Sequence, residues 1–229
     1  MTWDLALGSA FQLPLRDECI DVVVADPPYE GRARGKRRIS LPGSGYVGFV
    51  SREWFSEAMR VLRPSGHLYV VCSKQELLPW LKVAGEPTDI ISWFTPNSSA
   101  VAAYWRRSMG GRAPVWRPIL HYQKPPKKHI EWPGGFVPGN HIEASQVQSR
   151  MHEALPYPNQ MPLKVLTWLL APHHGIVLDL FSGTGTTGAA ASYLGLPVLS
   201  IDLNHKALEL GRLRRQSQTL FSSQGVTNG

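Results

Sequence analysis

Apolar runs alternate with amphipathic ones along most of the chain, and the two kinds differ in period. CIDVVVAD (19–26), GHLYVVC (66–72), GIVLDLF (175–181) and PVLSID (197–202) are apolar at nearly every central position, the pattern of strands covered on both faces. DIISWF (89–94) and WRPILHYQ (116–123) are shorter or alternate with polar residues, which predicts strands near a sheet edge. In SREWFSEAMRVL (51–62), Trp54, Phe55, Ala58, Met59 and Leu62 share one helical face, and Pro64 with Gly66 stop the run. MPLKVLTWLLA (161–171) and NHKALELGRLRR (204–215) predict two further helices, the second closing on Arg212, Arg214 and Arg215 as an exposed cationic end. Strands interleaved with helices predict an α/β fold built on a mostly parallel, doubly wound sheet. Two stretches fit neither period, 30–48, which begins EGRARGKRRISLPGSG, and 124–150, KPPKKHIEWPGGFVPGNHIEASQVQSR; long loops in compact domains tend to carry function.

Composition narrows the picture. The 229 residues, 43% of them hydrophobic, suit one domain over 1–229 with a core of its own. Cys19 and Cys72 both sit in apolar runs, so they are expected as packed thiols in a reducing compartment and not as a disulfide or metal pair. No apolar run approaches the roughly 18 residues of a membrane span, and the opening segment lacks a cationic start with an apolar centre, so a cytoplasmic protein is expected. No histidine spacing suggests a metal site; His173 and His174 beside Gly175 are expected in a turn. A net charge of +7 favours a polyanionic partner, and eight tryptophans leave aromatic surface for stacking.

The run DVVVADPPYEG (21–31) is a buried strand that ends in an acid, two prolines and a tyrosine, which folding alone would not choose. Proline fixes its own φ and holds the preceding residue extended, so Asp26, Pro27 and Pro28 form a rigid turn with acceptors at set positions. Such a turn can accept both N–H groups of an exocyclic amino group on a base and turn the nitrogen lone pair toward an electrophilic methyl. Tyr29 adds a ring on which a base drawn out of the duplex can stack. The second motif is VLDLFSGTGTTGAA (177–190), where a strand enters a glycine-rich turn that opens a helix. It contains G-x-G-x-x-G at Gly183, Gly185 and Gly188, and Asp202 closes the next strand, where an acid can bind ribose hydroxyls. This pattern alone fits NAD as well as S-adenosyl-L-methionine. By the crevice rule for open α/β sheets, Asp26 and Gly183 both follow strand ends and are expected to face one pocket.

Together these residues resemble the amino-group DNA methyltransferases that use S-adenosyl-L-methionine, in the motif order that places D-P-P-Y first, target recognition next and F-x-G-x-G last. Here the order is Asp26-Pro27-Pro28-Tyr29, then 124–150, then Phe181-Ser182-Gly183-Thr184-Gly185. The resemblance implies a Rossmann-like methyltransferase fold, circularly permuted, with the cofactor strand central, the catalytic strand beside it and residues from the two ends of the sequence close together. It assigns catalysis to Asp26, Pro27, Pro28 and Tyr29. It assigns the cofactor to Ser9, Asn159, Gln160, Asp179, Phe181, Ser182, Gly183, Thr184, Gly185, Thr186, Thr187 and Asp202. Two positions depart from the family pattern: Met161 stands where lysine is usual, and Ser9 stands where an acid contacts the cofactor adenine. The implied reaction is methylation of the adenine 6-amino group in double-stranded DNA with base flipping. The alternatives are the cytosine 4-amino group, a nicotinamide-dependent oxidoreductase, or a DNA-binding module without activity.

Phosphate contacts are expected from Arg32, Arg34, Lys36, Arg37 and Arg38, which follow the catalytic motif directly, and from Lys124, Lys127 and Lys128 at the start of the recognition segment. His129, Trp132, His141 and Gln146 are candidates for base or sugar contacts. The recognition segment is short, which leaves open a homodimer and a cognate restriction endonuclease as partners.

Overall fold

The computed structural model describes residues 2–28, 51–96, 116–148, 151–157 and 159–224, with side chains of the last helix described to Ser217. Among them one sheet holds β1 (Trp3–Leu7), β2 (Ile20–Ala25), β3 (Leu62–Val71), β4 (Asp89–Phe94), β5 (Trp116–Gln123), β6 (His141–Glu143), β7 (Val177–Asp179) and β8 (Val198–Asp202). The strand order is β1-β8-β7-β2-β3-β5-β4-β6, and only β5 runs antiparallel to its neighbours. The helices are α1 (Trp54–Val61), α2 (Leu77–Ala84), α3 (Leu163–Leu170), α4 (Thr186–Tyr193) and α5 (His205–Gln224).

β2 shows why its run is apolar throughout. Val23 and Ala25 pack with Leu68, Val70, Trp54 and Trp80 on one face, whereas Val22 and Val24 pack with Tyr69, Val71, Val165 and Leu169 on the other. Helices therefore cover both faces from Val22 to Ala25, and the one polar residue of the strand, Asp21, sits at its start, where it pairs with Arg63. β7 pairs with β2 through Val22↔Val177, Val23↔Leu178 and Val24↔Asp179, so the strands that lead into the glycine turn and the D-P-P turn are neighbours at the centre of the sheet, as the permuted order implies.

β4 and β5 lie second and third from the β6 edge, near a sheet edge as their runs predict, although Ile119 and Leu120 of β5 are fully buried. Two expectations are corrected. The 124–150 stretch hid β6, since three residues are too few to show a period. At its other edge the sheet ends on β1, in which only Trp3 is buried, so WDLAL carries no strand signature. Finally, Arg214 is not an exposed cation: it is 9% exposed, because Ala207, Gly211 and Arg214 at i, i+4 and i+7 form the face of α5 that packs inward.

β1 closes the permutation. It pairs in parallel with β8, and the Trp3 carbonyl accepts from Arg215 Nη1 at 2.6 Å, which brings residues 3 and 215 together. The Trp3 indole lies under the glycine turn and donates to Ser200 Oγ at 3.0 Å. Cys19 and Cys72 are free thiols, the second buried. No helix among the described residues is long and apolar enough to cross a membrane.

Candidate active site

β2 and β7 end side by side, with Leu180 N donating to Val24 O at 3.1 Å, so the two chain segments that leave them start from one point. Asp26, Pro27 and Pro28 leave β2; Leu180 to Thr187 leave β7 as the glycine turn and the first turn of α4. Both segments line one cavity of about 160 Å³ beyond the carboxyl ends of the parallel strands, which is where the crevice rule places a ligand. Tyr157, Asn159 and Gln160 form a further wall, and Asp202 closes the floor. Tyr29, Arg32, Arg34, Lys36, Arg37 and Arg38 lie outside the described residues.

The glycine turn is built by its backbone. Gly183 and Gly185 have φ of +49° and +76°, left-handed values that disfavour a side chain. Beneath Gly185 the Trp3 ring leaves no room either, since an added Cβ would lie 2.5 Å from Trp3 Cζ2. Phe181 anchors the start of the turn by an edge contact with Trp54, their ring centres 5.2 Å apart.

Asp202 is fixed at both oxygens: Oδ2 accepts from Gly183 N at 2.7 Å and Oδ1 from Asn204 N at 2.8 Å. The Leu203 backbone also bonds this carboxylate, and of its roughly four acceptor sites one remains for a ligand hydroxyl. Burial pushes the Asp202 carboxyl above its ordinary range, and a hydroxyl donor from a ligand would favour the ionised form. Ser182 Oγ is buried with no partner among the described residues and stands in the cavity wall, an unmet polar group that a polar ligand would satisfy. Asp179 is 4% exposed, and burial pushes its carboxyl up to about 7, with the charges of Asp202 and Asp26 acting in the same direction. Hydrogen bonds from the Thr187 side chain and Phe181 N hold it back. A carboxylate held on the floor, an unmet hydroxyl and a left-handed glycine cradle fit a nucleoside cofactor.

Other predicted site residues fall elsewhere. The Ser9 hydroxyl accepts from Phe11 N at 3.3 Å, while its neighbours Gly8, Ala10 and Phe11 are the ones that line the cavity. Ser9 shapes its own turn, and the adjoining backbone forms the wall. Gln160 lines the cavity, yet its amide is engaged inward: Nε2 donates to Leu155 O at 2.7 Å and Tyr157 O at 2.9 Å, and Oε1 accepts from Arg214 at 2.8 Å. Met161 is buried at 8% exposure and lines the same cavity.

The 124–150 segment divides in two. Lys124 N bonds Gly66 O at 2.9 Å, and its ammonium reaches Leu62 O at 2.7 Å and Glu18 at 3.2 Å, all at the amino ends of β2 and β3. By strand spacing that is on the order of 15 Å from Asp26 along the sheet. Lys127 and Lys128 are exposed at this same end, so the structure does not bring the three lysines to the cavity. Trp132 packs there against Trp168 over a second cavity of about 330 Å³. After β6 the chain climbs to the catalytic end, where Gln146 meets Arg117. With the Gln146 amide oxygen toward it, the Arg117 guanidinium donates at 2.5 Å, and it lies 5.0 Å over the Trp93 ring. Arg117 lines the cavity opposite Asp26 and had no signal in the sequence beyond its charge at a strand start.

His173 is also more than part of a turn. It is buried, and its Nε2 lies 2.7 Å from Tyr69 OH, next to a His67–His121 contact of 2.9 Å. Burial pushes His67 and His121 down to about 4 and holds His173 well below the usual imidazole range, so all three are neutral rings in one polar cluster.

Comparison with known proteins bears on this geometry. A family model described as DNA methylase matches residues 20–212. The chain is 29% identical over 227 residues to the type II methyltransferase M.HpaI of Haemophilus parainfluenzae, covering 89% of this chain and 70% of that protein. It is 23% identical over 263 residues to the DNA adenine methyltransferase YhdJ of Escherichia coli K12, covering 96% and 83%. Among solved structures, PvuII DNA methyltransferase, described as cytosine-N4-specific, superposes with a TM-score of 0.70 at 17% identity, over 93% of this chain and 86% of that one. The M1.HpyAVI-SAM complex superposes at 0.67 with 19% identity, over 93% and 100%.

Proposed function

The chain belongs to the DNA methylase family, and from that premise we propose that it transfers the methyl group of S-adenosyl-L-methionine to the 6-amino group of adenine in double-stranded DNA. The observation that carries the reading is that the Asp26-Pro27-Pro28 turn and the glycine turn with Asp202 line one cavity. Family membership sets aside the nicotinamide reading of the G-x-G-x-x-G pattern.

When bound, the cofactor supplies an electrophilic methyl on a sulfonium. Asp202 is placed to accept from a ribose hydroxyl, and the Gly183 and Gly185 backbone lets the ligand approach closely. The Asp26 carboxylate and the Pro27 carbonyl accept the two amino N–H bonds of a flipped base, so the nitrogen lone pair leaves the ring system and faces the methyl. Methyl transfer to that nitrogen would place growing positive charge beside Asp26, which its carboxylate is positioned to stabilise. Asp26 would also take one amino proton, leaving a neutral methylamino base and S-adenosylhomocysteine. Tyr29 supplies the stacking face.

DNA contact is assigned to the 30–48 stretch, with Arg32, Arg34, Lys36, Arg37 and Arg38 on phosphates, and base reading to residues 144–148 with Arg117. Adenine is favoured by the aspartate at 26, by the larger stacking surface of a purine and by the relative named for adenine. The cytosine 4-amino group is the second reading, favoured by the superposition on a cytosine-N4-specific enzyme. Mixed-sequence DNA methylated with isotopically labelled cofactor and digested to nucleosides is expected to carry label in 6-methyladenine. Label in 4-methylcytosine would move the assignment to the second base; DNA binding without label in any nucleoside would leave a silent module. Asp26→Ala is expected to abolish transfer while cofactor binding survives. Sedimentation with and without DNA tests for a homodimer.

A further inference from the structure

Arg214 has no part in the chemistry above, yet it is the centre of a buried polar network behind the cofactor wall. Its guanidinium donates to Gln160 Oε1 at 2.8 Å, Glu153 O at 3.1 Å, Thr186 Oγ1 at 3.0 Å and Thr184 Oγ1 at 3.5 Å. These acceptors belong to two separate pieces of the cavity, the 153–160 wall and the glycine turn with the start of α4, and Arg214 joins them from a third, α5. No carboxylate lies within ion-pair distance of it among the described residues. Burying a guanidinium is costly, and the charge of Glu153 offsets that cost only in part. Three of its four acceptors, on Gln160, Thr184 and Thr186, belong to residues that line the cavity, which points toward the pocket.

The connection runs through Gln160. With its carbonyl held by Arg214, the Gln160 amide closes the turn at Leu155 and Tyr157. That turn sets the Tyr157 ring over Gly183, 3.8 Å from where a Cβ would lie, and brings Tyr157 OH to accept from Asn204 Nδ2 at 3.3 Å. Asn204 in turn donates its backbone N–H to Asp202. We infer that Arg214 is a positioning residue for the cofactor: through Gln160 it holds the 153–160 wall against the glycine turn, so that the cavity is formed before the ligand enters. The inference rests on the cofactor reading above.

Calorimetry of S-adenosylmethionine and S-adenosylhomocysteine binding to the full chain tests it, with steady-state kinetics and thermal melts on the same preparations. Arg214→Met is expected to weaken both ligands about ten-fold, the loss of one charge-assisted hydrogen-bond set. The KM for the cofactor should rise by a like factor, with kcat at saturating cofactor unchanged. Arg214→Lys retains the charge without the fork that reaches both pieces at once, so it should recover only part of the affinity. Gln160→Met should cause a similar loss, and the double variant should lose no more than either alone, because the two act as one unit. Wild-type affinity in Arg214→Met, or a loss that only tracks a lower melting temperature, would overturn the inference. So would additive losses in the double variant, or wild-type affinity in Arg214→Lys if Arg214→Met does not fold. Failure of the unaltered chain to bind either ligand would overturn the cofactor reading itself.

Discussion

Asp179 and Asp26 stand one strand apart, and the sequence speaks for them in different ways. Asp26 is legible because two prolines and an aromatic follow a buried strand, a combination with no use in packing. Asp179 is marked only by the family resemblance, and nothing in its own stretch foretells that burial pushes its carboxyl from about 3.8 up to about 7. Its folded form therefore keeps a proton that the unfolded chain releases near pH 4. The stabilisation this gives is complete below pH 4 and is lost as pH rises through 7. His67 and His121 act with the opposite sign: their folded values near 4 lie below the unfolded 6.5, so their contribution is present above 6.5 and fades as pH falls toward 4. Asp179→Asn, which keeps the size and removes the titration, separates the two. Urea unfolding of the unliganded chain at several pH values from 4 to 8 is expected to show wild type losing ground to Asp179→Asn as pH rises, by an amount on the order of 2 to 4 kcal/mol. A constant difference would mean Asp179 ionises normally.

At the scale of elements, strands with an apolar pattern of their own were legible and those too short or too exposed to have one were not. CIDVVVAD, buried on both faces, and DIISWF, buried at alternate residues, announce β2 and β4, whereas β1 has one buried residue and β6 has three residues in all. What fixes β1 is its fit to α4. A Cβ at Gly188 would lie 2.0 Å from Trp3 Cε2, so indole and helix backbone are in direct contact. Gly188→Ala, although alanine is the better helix former, is expected to force Trp3 aside and destabilise the fold by about 1 to 3 kcal/mol. Thermal melts of Gly188→Ala alone and together with Trp3→Ala would check this: the alanine should do far less harm once the indole is gone. Equal penalties in both backgrounds would deny the contact.

For the whole molecule, the net charge of +7 pointed to DNA but not to a side. The sheet supplies the side. Lys127 and Lys128 sit at the amino ends of the parallel strands, while the cavity opens beyond the carboxyl ends. Changing both lysines to glutamine should leave the dependence of DNA affinity on salt unaltered. Changing Arg34, Lys36, Arg37 and Arg38 should flatten it by about 0.9 for each phosphate no longer neutralised. Filter-binding or fluorescence titrations between 50 and 200 mM salt distinguish the two sets; a slope that falls with the lysine pair would place DNA on the opposite end of the sheet. Motif order and family resemblance made the cavity legible in the sequence, but the assignment of charge to an end required the antiparallel β5, which returns the chain to the far edge.

The pairing of Trp3 with Val198 also has a meaning in time. A ribosome adds about 5 to 20 residues per second, so β1 emerges some ten to forty seconds before its partner strand exists. Through that interval an indole destined to lie under the glycine turn has neither β8 nor α4 to cover it. β1 is thus paired long after it is made, and the cofactor cradle is assembled only once β8 and α4 have followed. Chaperone dependence during translation, more than equilibrium stability, is where a lesion in WDLAL should first be felt.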